Sequence, residues 1–178
     1  MKVISRETIV NYNFLKGGGE AAELIACFDW SETSLGAIEW WPQSLRTTLS
    51  IILHSKFPML LFWGTDHTCF YNDTFRQSLG NQGKHPAALG SRAFEVWPET
   101  WHLTKPVLDK ILQGGESSLH EDQLIPIYRN GHIENVYWSY SYSPVEDDNA
   151  NIGGVLVICT ETTEKVNLLE RFKSNEKK

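Results

Sequence analysis

The chain has 178 residues, of which 41% are hydrophobic and 12% aromatic, and its formal net charge is −6. This length predicts one domain with a core large enough to need no metal or disulfide, and the composition excludes a disordered or collagen-like chain. The negative charge argues against a nucleic acid or an anionic membrane as the partner, because either requires a basic patch.

The cysteines and the apolar runs predict a reduced, cytoplasmic protein. Cys27, Cys69 and Cys159 form no close pair, which is typical of intracellular usage rather than of a secreted disulfide framework. The most apolar run covers only residues 152–159, whereas a membrane-spanning helix needs about 20 residues. We therefore expect no membrane segment in this sequence.

The N-terminal region predicts two helices. The glycines at 17–19 are expected to form a flexible break before a short amphipathic helix in residues 20–28. Ser44 is expected to cap a second helix, because the apolar residues of 45–53 recur with a helical period.

Residues 57–71 predict a β-hairpin. The run FPMLLFW (57–63) is typical of a buried strand, and TCFY (68–71) follows it after a short turn. Asn72 is expected to cap a short helix that ends at Gly80.

The segment 81–117 has no strand pattern and predicts a helical crossover. Its clearest helix is expected to open at residues 104–106, with Pro106 in the first turn, and to end at the glycines 114–115.

Three further strands are predicted at 118–128, 134–143 and 153–160. Asn130-Gly131 is a strong signal for a two-residue hairpin between the first two. The strand at 134–143 alternates one aromatic face with one face of mostly small residues, and the alternation leaves open which face points inward. Together the elements predict an α+β fold, a five-stranded antiparallel sheet with short helices on one face and flanking terminal helices.

Three stretches of this sequence resemble a PAS sensor domain. They are FPMLLFWGTDHTCFYNDTFRQSLG, LGSRAFEVWPE and VYWSYSYSPVEDDNANIGGVLVICTETTEK. With WPQSLR and KHPAALG in the same order, the sequence is similar to PAS domains at the N-termini of bacterial sensor histidine kinases. The resemblance implies an N-terminal extension at 1–54, a PAS domain at 55–164 and the start of an output helix at 165–178.

Aromatic residues are the candidate lining of a ligand site. The resemblance implies a cavity between the crossover and the sheet, and the candidates are Phe94, Trp97, Trp101, Trp138 and Tyr140. The alternative is that these rings fill the core and leave no space, because aromatic side chains bury large areas.

No catalytic or metal-binding pattern is present in the sequence. The six histidines are scattered, and the cysteines have no partner at metal-ligand spacing. Flavin photoreceptors of the PAS family carry a reactive Cys where this chain has residues 90–94, and one type of haem-binding member carries a His where it has 106–113. Neither residue is present here, so the resemblance argues against haem and photoactive flavin, and no cofactor is predicted.

Residues Glu161, Thr162 and Thr163 match an Asp-x-Thr motif that couples the last strand of many PAS domains to an output helix, with Glu in place of Asp. The hypothesis is that Glu161 pairs with a group on the sheet and that Thr162 or Thr163 caps the helix. The alternative is an ordinary strand-to-helix cap without a signalling role.

The resemblance implies a non-catalytic signal-input domain of a two-component sensor histidine kinase. Its implied partners are a second copy in a homodimer, a kinase domain in the same polypeptide and an unidentified small molecule. The alternative is an interaction module that dimerises and binds no ligand.

Overall fold

The computed structural model describes residues 12–81 and 83–176. Residues 1–11 of the expected N-terminal extension, Gln82 of the crossover and residues 177–178 of the expected output helix lie outside them. The strands are β1 (Met59–Trp63), β2 (Thr68–Tyr71), β3 (Ser118–Arg129), β4 (His132–Glu146) and β5 (Ile152–Glu161). The helices are α1 (Gly19–Cys27), α2 (Gln43–His54), α3 (Asp73–Arg76), α4 (Ala93–Val96), α5 (Trp101–Leu112) and α6 (Thr163–Asn175).

The five strands form one antiparallel sheet in the order β2-β1-β5-β4-β3. Each predicted strand is present and only the strand ends differ, so the predicted α+β fold is confirmed. The β3–β4 hairpin turns at Asn130 and Gly131, which have φ values of 54° and 84°. Both central residues of a type I′ turn need positive φ, which explains the strength of the Asn-Gly signal.

The start of α2 differs from the expectation that Ser44 caps it. The helix begins at Gln43, and the carboxylate of Asp148 in the β4–β5 loop accepts the backbone N–H of Gln43 and of Ser44, each at 2.8 Å. The Ser44 hydroxyl is buried with no hydrogen-bond partner among the described residues. A cap from more than a hundred residues away cannot be found from local sequence patterns.

The start of α1 has a similar cap, and it changes the interpretation of the glycine run. Asp73 accepts the N–H of Glu20 at 2.9 Å and of Ala21 at 2.8 Å. Gly19 has a φ of 73°, and a Cβ there would lie 2.0 Å from the Asp73 carboxylate. The run is therefore a packed turn that admits this carboxylate, and the expectation of a flexible break is wrong.

The crossover helix α5 is longer than the sequence suggests. It begins at Trp101, and Pro106 lies inside it rather than in the first turn. The carbonyl of Thr100 accepts the N–H groups of Leu103 and Thr104, at 2.9 and 3.0 Å, so the first turn forms ahead of the proline. Pro106 removes one backbone hydrogen bond and its ring crowds the carbonyl of the preceding turn, but the remaining bonds carry the helix through this position.

The two faces of the sheet have different coverings. Phe70 and Leu61 are directly opposite on β2 and β1, and the Phe70 ring lies 5.2 Å from that of Trp30 and 5.6 Å from that of Trp41, between centroids. The segment with α1 and α2 therefore covers the outer face of β1 and β2, and its buried side chains belong to the same apolar cluster as those of the sheet. The crossover covers the opposite, inner face. No helix among the described residues is long and apolar enough to cross a membrane.

Candidate ligand cavity and output junction

A cavity of about 110 Å³ lies between the inner face of the sheet and the helical crossover. The sheet contributes side chains from β1, β3, β4 and β5, and the crossover contributes side chains from α3 through α5. The residues on the sheet side are Leu60, Phe62, Ile125, Ile127, Trp138, Tyr140, Tyr142, Val157 and Cys159. Those on the crossover side are Phe75, Ser78, Leu79, Ala93, Trp97, Thr100, Trp101 and Thr104. The rings therefore leave space between the two layers.

The aromatic face of β4 is the face that points into the cavity. Trp138, Tyr140 and Tyr142 line it, and the serines of the strand lie on the other side. Tyr140 pairs with Cys159 and Tyr142 pairs with Val157 across β4 and β5, which places these four side chains on one surface. This register shows that the aromatic face of β4 points inward, which the alternation in the sequence left open.

Four of the five aromatic residues named from the sequence meet at this cavity. Trp97 and Trp101 line it from the crossover, and Trp138 and Tyr140 line it from the sheet. Phe94 does not, and its expected place in the lining is wrong. Its side chain is 44% exposed, and its ring packs 6.3 Å from that of Trp101, outside the cavity. Residue 94 is the second residue of a four-residue helix, too short for periodicity to show its direction.

Several lining residues were not identified from the sequence. Tyr142 was detectable, because it continues the alternation of Trp138 and Tyr140. Cys159 lies in the strand predicted at 153–160, but its contact with the cavity depends on its pairing with Tyr140. Ser78 has no distinguishing sequence signal, because its position depends on how the turn after α3 packs against the sheet.

The cavity is electrically neutral at physiological pH. None of the described residues that line it is an Asp, Glu, Lys, Arg or His. Burial raises the pKa of the Tyr142 phenol and raises that of the Cys159 thiol to about 12, so both groups keep their protons near pH 7. Burial likewise raises the pKa of Tyr140. The site offers apolar surface, aromatic faces and uncharged hydrogen-bonding groups.

Glu161 at the end of β5 is joined to the sheet by Arg129. The guanidinium donates from Nη1 to Glu161 Oε2 at 2.9 Å and from Nη2 to Glu161 Oε1 at 3.1 Å. Its Nε donates to Glu134 Oε2 at 2.8 Å, so one arginine holds two carboxylates. These hydrogen bonds favour the charged form of the Arg129 guanidinium and raise its pKa. The bond to Glu161 has the largest effect.

The first turn of α6 is held by Thr163 rather than by Thr162. Thr163 Oγ1 accepts the N–H of Tyr137 at 3.0 Å and donates to Glu161 Oε1 at 3.1 Å. Thr162 occupies the N-cap position, but its hydroxyl is buried without a partner among the described residues. Its backbone N–H instead donates to the carbonyl of Tyr137 at 2.7 Å.

A second ion pair holds α6 on the edge of the sheet. Lys165 Nζ lies 2.8 Å from Asp122 Oδ2, at an irregularity where β3 shifts register between His120 and Gln123. No side chain of α6 is buried among the described residues, so contacts at the start of the helix fix its direction.

The described residues contain no group of three or more His, Cys, Asp and Glu side chains arranged to hold a metal ion. Cys69 and Cys159 are buried and Cys27 is exposed, and all three are free thiols.

Solved structures identify this architecture. The PAS domain of BvgS from Bordetella pertussis is similar, with a TM-score of 0.51 and 16% identity over 75% of this chain and 96% of that chain. The phage VqmA–DPO complex is similar with a TM-score of 0.52 and 15% identity, over 74% of this chain and 58% of that chain. A sensory box sensor histidine kinase from Vibrio cholerae gives a TM-score of 0.43 and 18% identity, over 59% of this chain and 77% of that chain. No family model and no curated protein matches the sequence. The chain has the PAS fold.

Proposed function

We propose that this chain is the signal-input domain of a bacterial two-component sensor histidine kinase, in which a small molecule in the cavity changes the position of α6. The observation that carries the proposal is the course of β5. This strand lines the cavity with Val157 and Cys159, and it ends at Glu161 beside Arg129, where α6 begins. The kinase chemistry belongs to a downstream domain of the full-length protein.

A second connection runs through the crossover wall. Ser78 lines the cavity, and its carbonyl accepts a hydrogen bond from Arg129 Nη1 at 3.4 Å. Three residues on, the N–H of Asn81 donates to Asn130 Oδ1 at 2.8 Å. A ligand that displaces either Ser78 or β5 therefore acts on the same arginine, which holds Glu161.

The test uses Glu161→Gln and Thr163→Val in the full-length protein. Both changes remove bonds at the start of α6 and leave the cavity lining intact. We expect both variants to fold and to change kinase output. Glu164→Gln is the matched control, because Glu164 is an exposed acidic residue in the same turn. If both variants fold and the kinase responds as the wild type does, the junction is only a helix cap.

A specific surface favours the alternative of an interaction module. Leu119, Ser141 and Ile158 lie side by side across β3, β4 and β5 on the outer face, where Leu119 is 70% and Ile158 is 37% exposed. A second copy of this chain is the partner that fits best. Each copy has a net charge of −6, and an uncharged row avoids repulsion between two like charges at the contact.

Native mass spectrometry of the purified chain separates the two functions. A bound small molecule favours sensing, whereas a dimer without a ligand favours the interaction module. Leu119→Lys should convert the dimer to a monomer, and Ile51→Lys is the matched control, because Ile51 is exposed on α2 and outside this row.

A further inference from the structure

The size of the cavity limits its occupant. A site for a drug-sized ligand has a volume of about 300–1,000 Å³, whereas this cavity has about 110 Å³. A bound water needs about 10–15 Å³ of such volume, so the space holds about seven to eleven water-sized groups. That is the size of one ring with one small substituent.

The charge of the lining limits the occupant further. A buried ion without a counter-ion is destabilised by several kcal/mol, and the lining contains no charged side chain among the described residues. An anion would find no arginine or lysine in the cavity, and a cation would find no carboxylate. Aromatic faces do attract organic cations, so a cation is the strongest competing class.

The aromatic side chains of the lining favour a flat ring. Trp97 and Trp101 approach from one layer, and Trp138 and Tyr140 approach from the other. Aromatic rings stack or meet edge to face at centroid distances of about 4.5–7 Å, and such pairs stabilise a ring beyond its buried area. Tyr140 and Tyr142 already meet edge to face at 5.3 Å.

The lining also contains uncharged hydrogen-bond donors. The indole N–H groups of Trp30 and Trp41, outside the cavity, donate to carbonyl oxygens at 2.7 and 3.0 Å. Among the described residues the hydrogen bonds include none from the indoles of Trp101 and Trp138. An indole N–H donates and cannot accept. Tyr140 and Tyr142 line the same cavity and carry phenol O–H donors, so a ligand with a neutral acceptor such as a carbonyl or ring nitrogen fits this lining.

We infer that the cavity binds an uncharged aromatic or heteroaromatic compound of about ten non-hydrogen atoms that carries at least one neutral hydrogen-bond acceptor. This ligand class rests on the proposed sensing function and narrows it.

Three probes of nearly equal shape test the ligand class: benzamide is neutral, benzoate is an anion and benzamidinium is a cation near pH 7. Binding is followed by the ¹H–¹⁵N signals of the tryptophan indoles. We expect benzamide to shift the signals of Trp97, Trp101 and Trp138 saturably, with an affinity at least tenfold higher than either ion. The signal of Trp40, which is 84% exposed, should not move.

Cavity-filling variants provide the second arm of the test. Ala93→Leu places extra carbons in the lining and should remove the benzamide shifts. Val157→Leu adds a single methylene and serves the same purpose if the larger change prevents folding. Retention of the full benzamide shifts in a folded variant would overturn the assignment of binding to this cavity.

The outcomes distinguish the ligand class from the proposed function. If benzoate or benzamidinium shifts the cavity indoles as strongly as benzamide, the uncharged class is wrong and the sensing function stands. If benzamide shifts no cavity indole, the class is also wrong. The sensing function fails separately if Glu161→Gln and Thr163→Val both fold and the full-length kinase responds as the wild type does.

Discussion

Arg129 on β3 and Glu161 at the end of β5 are joined by two hydrogen bonds, at 2.9 and 3.1 Å, although β4 lies between their strands. The pair ties the β3–β4 hairpin to the residue from which α6 departs. Because the same guanidinium also contacts Glu134 and the carbonyl of Ser78, one side chain connects the hairpin, the cavity wall and the output helix.

A double-mutant cycle on Arg129 and Glu161 should give a coupling free energy of about 0.5–1 kcal/mol. The Arg129 side chain is only 12% exposed and the contact has two bonds, which favours the upper part of the range for such pairs. The measurement is urea unfolding of Arg129→Gln, Glu161→Gln and the double variant. Lys165 and Asp122 form the control pair, with one bond and a more exposed cation, and should couple more weakly. Equal coupling in both cycles would contradict a special role for Arg129.

Removal of the region before Ser55 should prevent folding of the remaining chain. Phe70 is fully buried against Trp30 and Trp41, and Leu61 lies beside it. Deletion of α1 and α2 would expose this apolar face of β1 and β2 to water. Circular dichroism and gel filtration should show an aggregated or unfolded product. A soluble, cooperatively folded product would show that residues 55–178 fold without the region before them.

Asp148→Asn should lower the Tm by a few degrees at pH 7. Bonds from the backbone N–H of Ser44 are the largest cause that lowers the pKa of Asp148 in the folded chain, so its carboxylate stabilises the fold above the unfolded pKa of about 3.9. That stabilisation is lost as the pH falls through the folded pKa. The Tm difference between wild type and variant should therefore be constant from pH 7 to 5 and shrink below about pH 4. A difference that grows in acid would contradict this cap.

One thiol of three should react with a disulfide reagent in the native protein. Cys27 is exposed, whereas Cys69 and Cys159 are buried. Burial also raises the pKa of the Cys159 thiol to about 12, which removes the reactive thiolate near neutral pH. Cys27→Ser should abolish the fast reaction, and denaturant should restore reaction of the other two. Fast reaction of Cys159 without denaturant would show that the cavity is open to reagents of that size.

The sequence predicted the sheet well because its signals are local. Alternation in β4 and the Asn130-Gly131 turn are both readable from a few neighbouring residues. The starts of α1 at Gly19 and of α2 at Gln43 were harder to predict, because their caps are Asp73 and Asp148 from distant parts of the chain. Packing, rather than local pattern, brings these carboxylates to the helices.

The candidate site was predicted only in part, because only some of its residues lie in a local pattern. Trp138 and Tyr140 follow from strand alternation, whereas Phe94 failed because its short helix has no periodicity to show which side is buried. The hypothesis for Glu161 predicted that it pairs with a group on the sheet, and in the structure that group is Arg129. The role of that contact in signalling stays a prediction.

The most direct measurement is hydrogen–deuterium exchange of α6 with and without saturating benzamide, with occupancy verified by the Trp138 indole signal. We expect occupancy of the cavity to change amide exchange in the first turn of α6 in the wild type. The change should be much smaller in Glu161→Gln, in which an amide NH₂ replaces one of the two carboxylate oxygens that accept from Arg129. Unchanged α6 exchange at verified saturation would contradict the claim that the cavity acts on the output helix.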